Sequence, residues 1–402
     1  MSRIVTDWTG MHIFFSVGEP SGDLHAAKLV SEFQRRVAGV QCSGFGGPLM
    51  QEAGCRLLYR LTDLAVMGLL PVVPLLFKFV RLARHAQRFL EENRPDAVVL
   101  VDFPGFNWWI ARGAKKLGIP VFYYLPPQLW AWAPWRVRRM RKFVDHVISC
   151  LPFEVEWYRR HAVVAEFVGH PFFDEVAVRQ LDGAFMRERC AAAEPDGRIV
   201  AILPGSRHHE IAHNFPIQIR VMKQLSRRLA GLKFLVACYK DAQRETCQRM
   251  LAERAPELDA ELYVGKTPEI IELGEVCLMV SGSVSLEVLA RKTPAVVVYR
   301  MNRGFFWFCK LMVTCRYFSL PNLIANHPVM PEFAPIDDPR PAIAAMTGLL
   351  HRWLTDPVEY ARQVAQLTRL RDEVATTGAT ANAARAILER LPAGDETVHR
   401  AA

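Results

Sequence analysis

Apolar runs of a few residues recur along this chain, each followed by a stretch with helical spacing, and that alternation restricts the fold more than any other feature. It is how parallel α/β sheets read, because parallel strands need a crossover and the crossover is usually a helix. In the first half the strand candidates are residues 12–17, 41–45, 97–101, 121–125, 146–150 and 166–168, with helical stretches at 24–37 and 75–92 among them. A second series runs 199–203, 234–237, 262–264, 276–280 and 295–298. Between the two, residues 169–197 hold Gly169-His170-Pro171, a charged helix-like piece and Glu194-Pro195-Asp196-Gly197, a linker composition. After Pro339 the pattern is helical, with breaks near Pro357 and Gly378. The expectation is an α/β chain of two successive doubly wound, Rossmann-like domains, residues 1–180 and 181–340, then helices over 341–402 that pack back on the N-terminal domain. A chain of 402 residues can give both domains a full core. Ligands are then expected in a cleft between the domains, at the carboxyl ends of the strands.

Lys and Arg number 50 against 41 Asp and Glu, so an anionic partner is expected: a phosphorylated ligand, anionic lipid or nucleic acid. The nine cysteines stand singly with no C-x-x-C pair, which favours a reducing compartment over a disulfide framework or zinc knuckle. The N-terminus lacks the charged, apolar and small-residue order of a secretory signal. The most apolar run, residues 68–77, is too short to span a bilayer and is interrupted by Pro71 and Pro74. A cytoplasmic protein that touches a membrane is the expectation.

The stretch LPGSRHHEIAHNFP, Leu203 to Pro216, carries two incompatible signals. His209-Glu210-Ile211-Ala212-His213 spells H-E-x-x-H, the zinc-protease pattern. Its context fails: Pro216 and Ile219 stand where a metzincin needs Gly and His, and no acid lies between Asn214 and Lys240. Pro216 would also clash with the carbonyl of Ala212, so a regular helix carrying both histidines is not expected, and no metal is assigned. The alternative is a phosphate loop, in which Gly205 lets backbone approach a ligand, Ser206 offers a hydroxyl and Arg207 a planar cation. A helix N-terminus beyond it would favour an anion. Ser281, Gly282 and Ser283 make a second such turn, with Glu287 one helical turn further, where a carboxylate could accept from ribose hydroxyls.

In the first domain VGEPSGDLHAA is neither G-x-G-x-x-G nor a P-loop, yet Glu19, Ser21 and Asp23 gather behind the first strand. Asp102 ends a central strand in LVDFPGFNWW, where it is either a general base or the N-cap of the following helix. Glu154 and His170 are weaker candidates of the same kind. Two segments suit a lipid surface or phosphate heads. In 67–88, Leu69, Leu70, Val72, Val73 and Leu76 precede Lys78, Arg81, Arg84 and Arg88; in 130–142, Trp132 stands among cations that include Arg138 and Arg139. Ordinary core and solvated helix face explain either segment equally well. The aromatic 303–318 stretch reads as packing.

With GEPSGDLHAA, GFGGPLM, LAVMG, VDFPGFN, PPQLWAW, LPFE, VGHP, LPGSRHHEI, SGSVSLE, VVVYR and SLPNLIA in this order, the chain resembles the lipid-A-disaccharide synthases, bacterial glycosyltransferases. Two departures are Pro126, where the family usually has Ser, and Ser283, where Thr is common. The resemblance implies a GT-B fold and transfer of a sugar from UDP-2,3-diacylglucosamine to 2,3-diacylglucosamine 1-phosphate, with no cofactor, no nucleic acid and peripheral attachment to the inner face of the inner membrane. Within it, Asp102 is assigned as general base with Glu19 as the alternative. Arg207, Ser206 and Ser283 would stabilise departing UDP, Glu287 would hold ribose, and Asn322 would orient pyrophosphate or sugar. A UDP-sugar epimerase and a non-catalytic lipid- or nucleic-acid-binding module are the competing readings. The oligomeric state, a homodimer included, stays open.

Overall fold

The computed structural model describes residues 10–64, 76–192 and 197–391. Two compact units divide the chain: one runs to Pro171 and resumes at Thr377, and the other is Phe172–Thr376.

The first unit holds a seven-stranded parallel sheet: β1 His12–Val17, β2 Gln41–Gly46, β3 Arg56–Arg60, β4 Ala97–Val101, β5 Val121–Tyr124, β6 His146–Ser149 and β7 Ala165–Phe167, in the order β3-β2-β1-β4-β5-β6-β7. Every residue of β1 and β4 is buried, which is why the central strands read as near-continuous apolar runs. Their side chains alternate between two cores. Phe14, Val98 and Leu100 pack with Ala83, Ala86 and Leu90 on one face. Ile13, Phe15, Val99 and Val101 pack with Leu29, Val30, Phe33, Ala383 and Ile387 on the other.

The second unit repeats the plan with β8 Arg198–Leu203, β9 Leu232–Cys238, β10 Ala260–Val264, β11 Val276–Val280, β12 Ala295–Val298 and β13 Glu332–Phe333, in the order β10-β9-β8-β11-β12-β13. Both sheets are wound outward in two directions from a central pair, β1/β4 in one and β8/β11 in the other. Loops that leave such a pair at the carboxyl ends lie at a topological switch point, the usual ligand position in open α/β sheets.

Four sequence expectations change. The edge strands β3 and β13 went unread, the first because arginines flank its apolar centre and the second because it has only two residues. The division between units falls after Pro171 rather than near 180, because Phe172 and Phe173 join the second unit's core. The helices Arg340–Thr355 and Pro357–Val374 also belong there, through Ile343, Met346, Leu350, Trp353, Leu367 and Leu370; only Ala379–Leu388 returns to the first sheet. Finally, the helix His208–Ser226 runs through Pro216. An interior proline costs roughly 3 kcal/mol. Burial of Ile211, Phe215, Ile217 and Ile219 around it, at about 1.5–3 kcal/mol each, exceeds that cost. No described helix is long and apolar enough to cross a membrane.

Candidate functional site

In the first unit Val17 pairs with Val101, so the chain leaves β1 and β4 level with each other. Gly18 follows β1, and a Cβ there would overlap the Phe103 ring behind β4, so the two loops touch. Glu19 sits at the N-cap of the helix Pro20–Arg36 but makes no capping bond with its side chain. Behind β4, Asp102 and Phe103 both adopt the left-handed conformation, with φ of 50° and 44°. Phe103, not Asp102, is the N-cap of the helix Pro104–Lys116, which removes the capping explanation for the aspartate.

Two consecutive left-handed residues other than glycine cost of order 1–3 kcal/mol each and persist only where the surroundings over-determine them. Here the Asp102 carbonyl accepts from the Tyr123 hydroxyl at 2.6 Å and from Asn107 Nδ2 at 2.8 Å. Asn107 is buried and also donates to the carbonyls of Ser16 and Val101, while its Oδ1 accepts from the Ser16 hydroxyl at 2.6 Å. β1, β4 and β5 are thus tied to one peptide. Burial pushes the Asp102 carboxyl up to about 6, the Glu19 charge adds to the rise, and the Phe103 backbone N–H opposes it. A carboxyl that titrates near neutrality at a switch point suits proton transfer.

Asp23 and Glu154 have structural partners. Asp23 is buried and accepts from the backbone N–H groups of Gly47, Leu49 and Met50 at 2.9–3.1 Å, at the start of the helix Pro48–Glu52. Its expected ligand role gives way to that anchoring role, while Ser21 stays exposed on the first turn. Glu154 is buried, accepts from Trp130 Nε1 at 2.8 Å and bonds the Ser149 hydroxyl, so it pins the loop that leaves β5. Burial pushes Glu154 up to about 7, partly offset by the bonds from Ser149 and Trp130. His170 is half-buried just ahead of the division between the units.

In the second unit Leu203 pairs with Met279, so the loops behind β8 and β11 also leave side by side. Gly205 has φ 112°, and a Cβ there would press on Glu210 Cβ and Oε2 at 2.9 Å. Glu210 is the residue that sequence reasoning missed. Its Oε2 accepts from the Ser206 and Arg207 backbone N–H groups at 3.0 and 3.1 Å. Two N–H groups of the loop are therefore held by an internal carboxylate, which leaves the Ser206 hydroxyl and the Arg207 guanidinium as the side-chain donors for a ligand. That guanidinium is 55% exposed and lies 3.5 Å from Glu210 Oε1. A glutamate three residues after an N-cap was the available signal, hidden inside H-E-x-x-H. His209 and His213 share the helix, His213 Nδ1 lying 2.8 Å from the His209 carbonyl, and among the described residues no group of three or more His, Cys, Asp or Glu could hold a metal ion.

Behind β11, Ser281 donates to the Phe318 carbonyl at 2.8 Å, and Gly282 and Ser283 are exposed ahead of the helix Val284–Arg291. Glu287 is buried, 3.2 Å from Arg291 and 3.6 Å from Arg179, so a ribose would share a carboxylate already paired with arginine. Asn322 is buried with its amide fully used: Nδ2 donates to the Met330 carbonyl and Glu332, and Oδ1 accepts from Val329 and Met330 N–H. No donor remains for a pyrophosphate, and its expected orienting role is replaced by that of a clasp for the 318–332 segment.

Of the lipid-surface residues, Leu69, Leu70, Val72 and Val73 lie outside the described residues, as does the Leu76 side chain. In the helix Leu76–Asn93, Phe77 is 86% exposed, and Lys78, Arg81, Arg84 and Arg88 are exposed while Leu82, Ala86 and Leu90 enter the core. Trp130 is buried, whereas Trp132 and Trp135 are exposed, with the Arg136 guanidinium 4.1 Å from the Trp132 ring. Arg138 and Arg139 face out from the helix Val137–Phe143. In the 303–318 stretch Phe318 packs against the second unit's core, as expected, and Phe306, Met312 and Val313 are half-buried, whereas Trp307 and Leu311 are exposed.

Two doubly wound parallel sheets in succession, with loops gathered at their switch points, are the plan of the GT-B fold. The same fold occurs in an S. aureus MnaA–UDP structure (TM-score 0.61, 11% identity, 92% of this chain and 94% of that one). It occurs again in UDP-GlcNAc 2-epimerase from Neisseria meningitidis bound to UDP-GlcNAc (TM-score 0.57, 11% identity, 94% and 98%). The calicheamicin glycosyltransferase CalG4 is similar too (TM-score 0.58, 16% identity, 94% and 98%). At such identities these likenesses speak for the fold alone. A family model described as Lipid-A-disaccharide synthetase matches residues 13–352. Lipid-A-disaccharide synthase of Idiomarina loihiensis is 35% identical over 81% of this chain and 86% of its own length. That of Geobacter sulfurreducens is 32% identical over 96% and 99%. The chain belongs to the lipid-A-disaccharide synthase family and is a glycosyltransferase.

Proposed function

We propose that the chain moves a 2,3-diacylglucosaminyl group from UDP-2,3-diacylglucosamine to the 6-hydroxyl of 2,3-diacylglucosamine 1-phosphate, giving the β-1,6-linked disaccharide 1-phosphate and UDP. The observation that carries the chemistry is the Asp102 carboxyl, held behind β4 and pushed up to about 6. In a direct inverting displacement the acceptor O6–H passes its proton to Asp102 as O6 bonds to the anomeric carbon. The bond from that carbon to the UDP oxygen breaks, its electron pair leaves with UDP, and water then takes the proton from Asp102. General-base help of this kind is worth about 10²–10⁴-fold. Arg207, Ser206 and Ser283 stabilise charge on the departing diphosphate, and Glu287 accepts from the ribose. Glu19 acts through its charge on Asp102.

Membrane-borne acyl substrates fit the exposed cations of the helix Leu76–Asn93 and the Trp132 loop, which supports peripheral attachment to the cytoplasmic face of a membrane. The test is incubation with both lipids. Disaccharide phosphate and UDP in equal amounts are expected; a UDP-sugar epimer formed from the donor alone, with no disaccharide, would favour the epimerase reading instead.

A further inference from the structure

The helix Arg303–Met312 has no place in the reaction just described, and its surface is unusual. Trp307 is 64% and Leu311 83% exposed. They stand four residues apart and therefore on one face. No side chain described in this helix is fully buried: Phe306, Cys309 and Met312 are half-covered, while Trp307 and Leu311 stand out into solvent. An amphipathic surface helix normally turns its apolar residues to the core; here Trp307 and Leu311 meet solvent instead.

Charge identifies the occupant. From Arg300 to Arg316 the sequence contains Arg300, Arg303, Lys310 and Arg316 and no acid. Arg303 is paired with Asp337, but Lys310 lies 5.0 Å from the Trp307 ring centre and Arg316 lies 5.5 Å from that of Tyr317. Aromatic rings with cations beside them suit the headgroup level of an anionic bilayer. A second copy of the chain is a poorer fit. An isologous contact would set this acid-free stretch against itself, and two exposed apolar side chains fall short of the roughly 1,200–2,000 Å² a stable interface buries.

We propose that Arg303–Met312 is an interfacial docking helix of the second unit, seating Trp307 and Leu311 at the surface of an anionic lipid bilayer with Lys310 and Arg316 on its headgroups. The inference gains its purpose from the reading of the substrates as lipids, but its test needs no substrate. The full chain is floated with vesicles of phosphatidylethanolamine and phosphatidylglycerol, and separately with phosphatidylcholine alone. The double variant Trp307→Ser/Leu311→Ser should partition about ten- to a hundredfold less onto the anionic vesicles. Lys310→Glu should weaken binding to anionic vesicles only. Should the double variant fail to fold, Trp307→Phe decides: it keeps the apolar surface, and brominated lipid should quench its remaining fluorescence markedly less than that of the parent.

Unchanged partitioning of the double variant, or unchanged quenching in Trp307→Phe, overturns the proposal. So does a change in sedimentation coefficient without a change in vesicle binding, which would assign the surface to a second copy. Vesicle binding that depends on Trp307, with no disaccharide formed by the parent enzyme, would uphold the docking helix and sink the transferase reading. Disaccharide formation with Trp307-independent binding would do the reverse.

Discussion

The hydroxyl of Tyr123 donates to the carbonyl of Asp102 at 2.6 Å, so a fully buried residue of β5 fixes the peptide that turns the candidate base out of β4. Without that bond the left-handed pair Asp102-Phe103 is held mainly by Asn107. Tyr123→Phe should cost about 1 kcal/mol of stability, the usual net worth of one hydrogen bond. It should also lower kcat about tenfold through misplacement of the carboxyl, with UDP affinity unchanged. A drop in Tm with kcat intact would reduce Tyr123 to a packing residue.

The pH profile tests Asp102 directly. A general base must be ionised, so with its carboxyl at about 6 the rate should rise as pH passes through that region and level off above it. Asp102→Asn should abolish the limb and lower kcat by about 10²–10⁴. Glu19→Gln removes a negative charge that raises the Asp102 value, so the limb should move to lower pH while turnover at pH 8 persists. Loss of turnover in Glu19→Gln, with Asp102→Asn active, would make Glu19 the base.

The H-E-x-x-H pattern supplies a third expectation. His213 leans on the carbonyl of His209 rather than on a second imidazole. His213→Ala should keep most activity, and chelators should leave the parent enzyme unaffected. Zinc bound one to one and lost together with activity in that variant would revive the metal reading.

Glu154 predicts a stability trend. Burial holds its carboxyl at about 7 against an ordinary 4.5, so the folded state binds the proton more tightly than the unfolded chain does. That contribution is fully present below about 4.5, declines as pH rises towards about 7 and is gone above it. Glu154→Gln cannot ionise, yet it keeps an acceptor for Trp130. Its Tm relative to the parent should therefore improve as pH is raised from 5 to 8. Parallel Tm curves for the two proteins would show that Glu154 does not titrate in this window.

What the sequence disclosed follows from the physics of each signal. β1, β4, β11 and β12 read at their true boundaries because strands buried on both faces are unbroken apolar runs with sharp ends. β3, with arginine at both ends, and the two-residue β13 carry no such run. Pro216 misled because a local rule about helices yields to the burial of four neighbours drawn together by the tertiary fold. The positions of Asp102 and Arg207 just behind β4 and β8 were legible from the strand ends that precede them. The duties of Asp23, Glu154 and Asn322 were not, because each is set by partners from other segments, such as Gly47 for Asp23 and Trp130 for Glu154. A carboxylate or amide behind a strand looks the same in sequence whether it meets a ligand or its own backbone.

If the second unit holds the UDP diphosphate at Arg207 as proposed, Glu210 bears on how tightly it does so. Its carboxylate occupies the N–H groups of Ser206 and Arg207 and stands 3.5 Å from the Arg207 guanidinium. An arriving phosphate must compete with it for that cation. Arg207→Ala removes the charge-assisted contact outright, worth about 1.5–3 kcal/mol or roughly ten- to a hundredfold in UDP affinity. Glu210→Gln should act in the opposite sense on charge: it keeps one acceptor for the loop, removes the anion and frees the guanidinium, so UDP should bind more tightly. Glu210→Ala, by contrast, also abandons the loop and the helix start, at a cost of about 0.5–2 kcal/mol in stability. Calorimetric titration of UDP into the three variants separates these effects. If Glu210→Gln weakens UDP as much as Arg207→Ala does, the carboxylate shapes the binding loop more than it competes for it, and Arg207 owes its position to the ion pair.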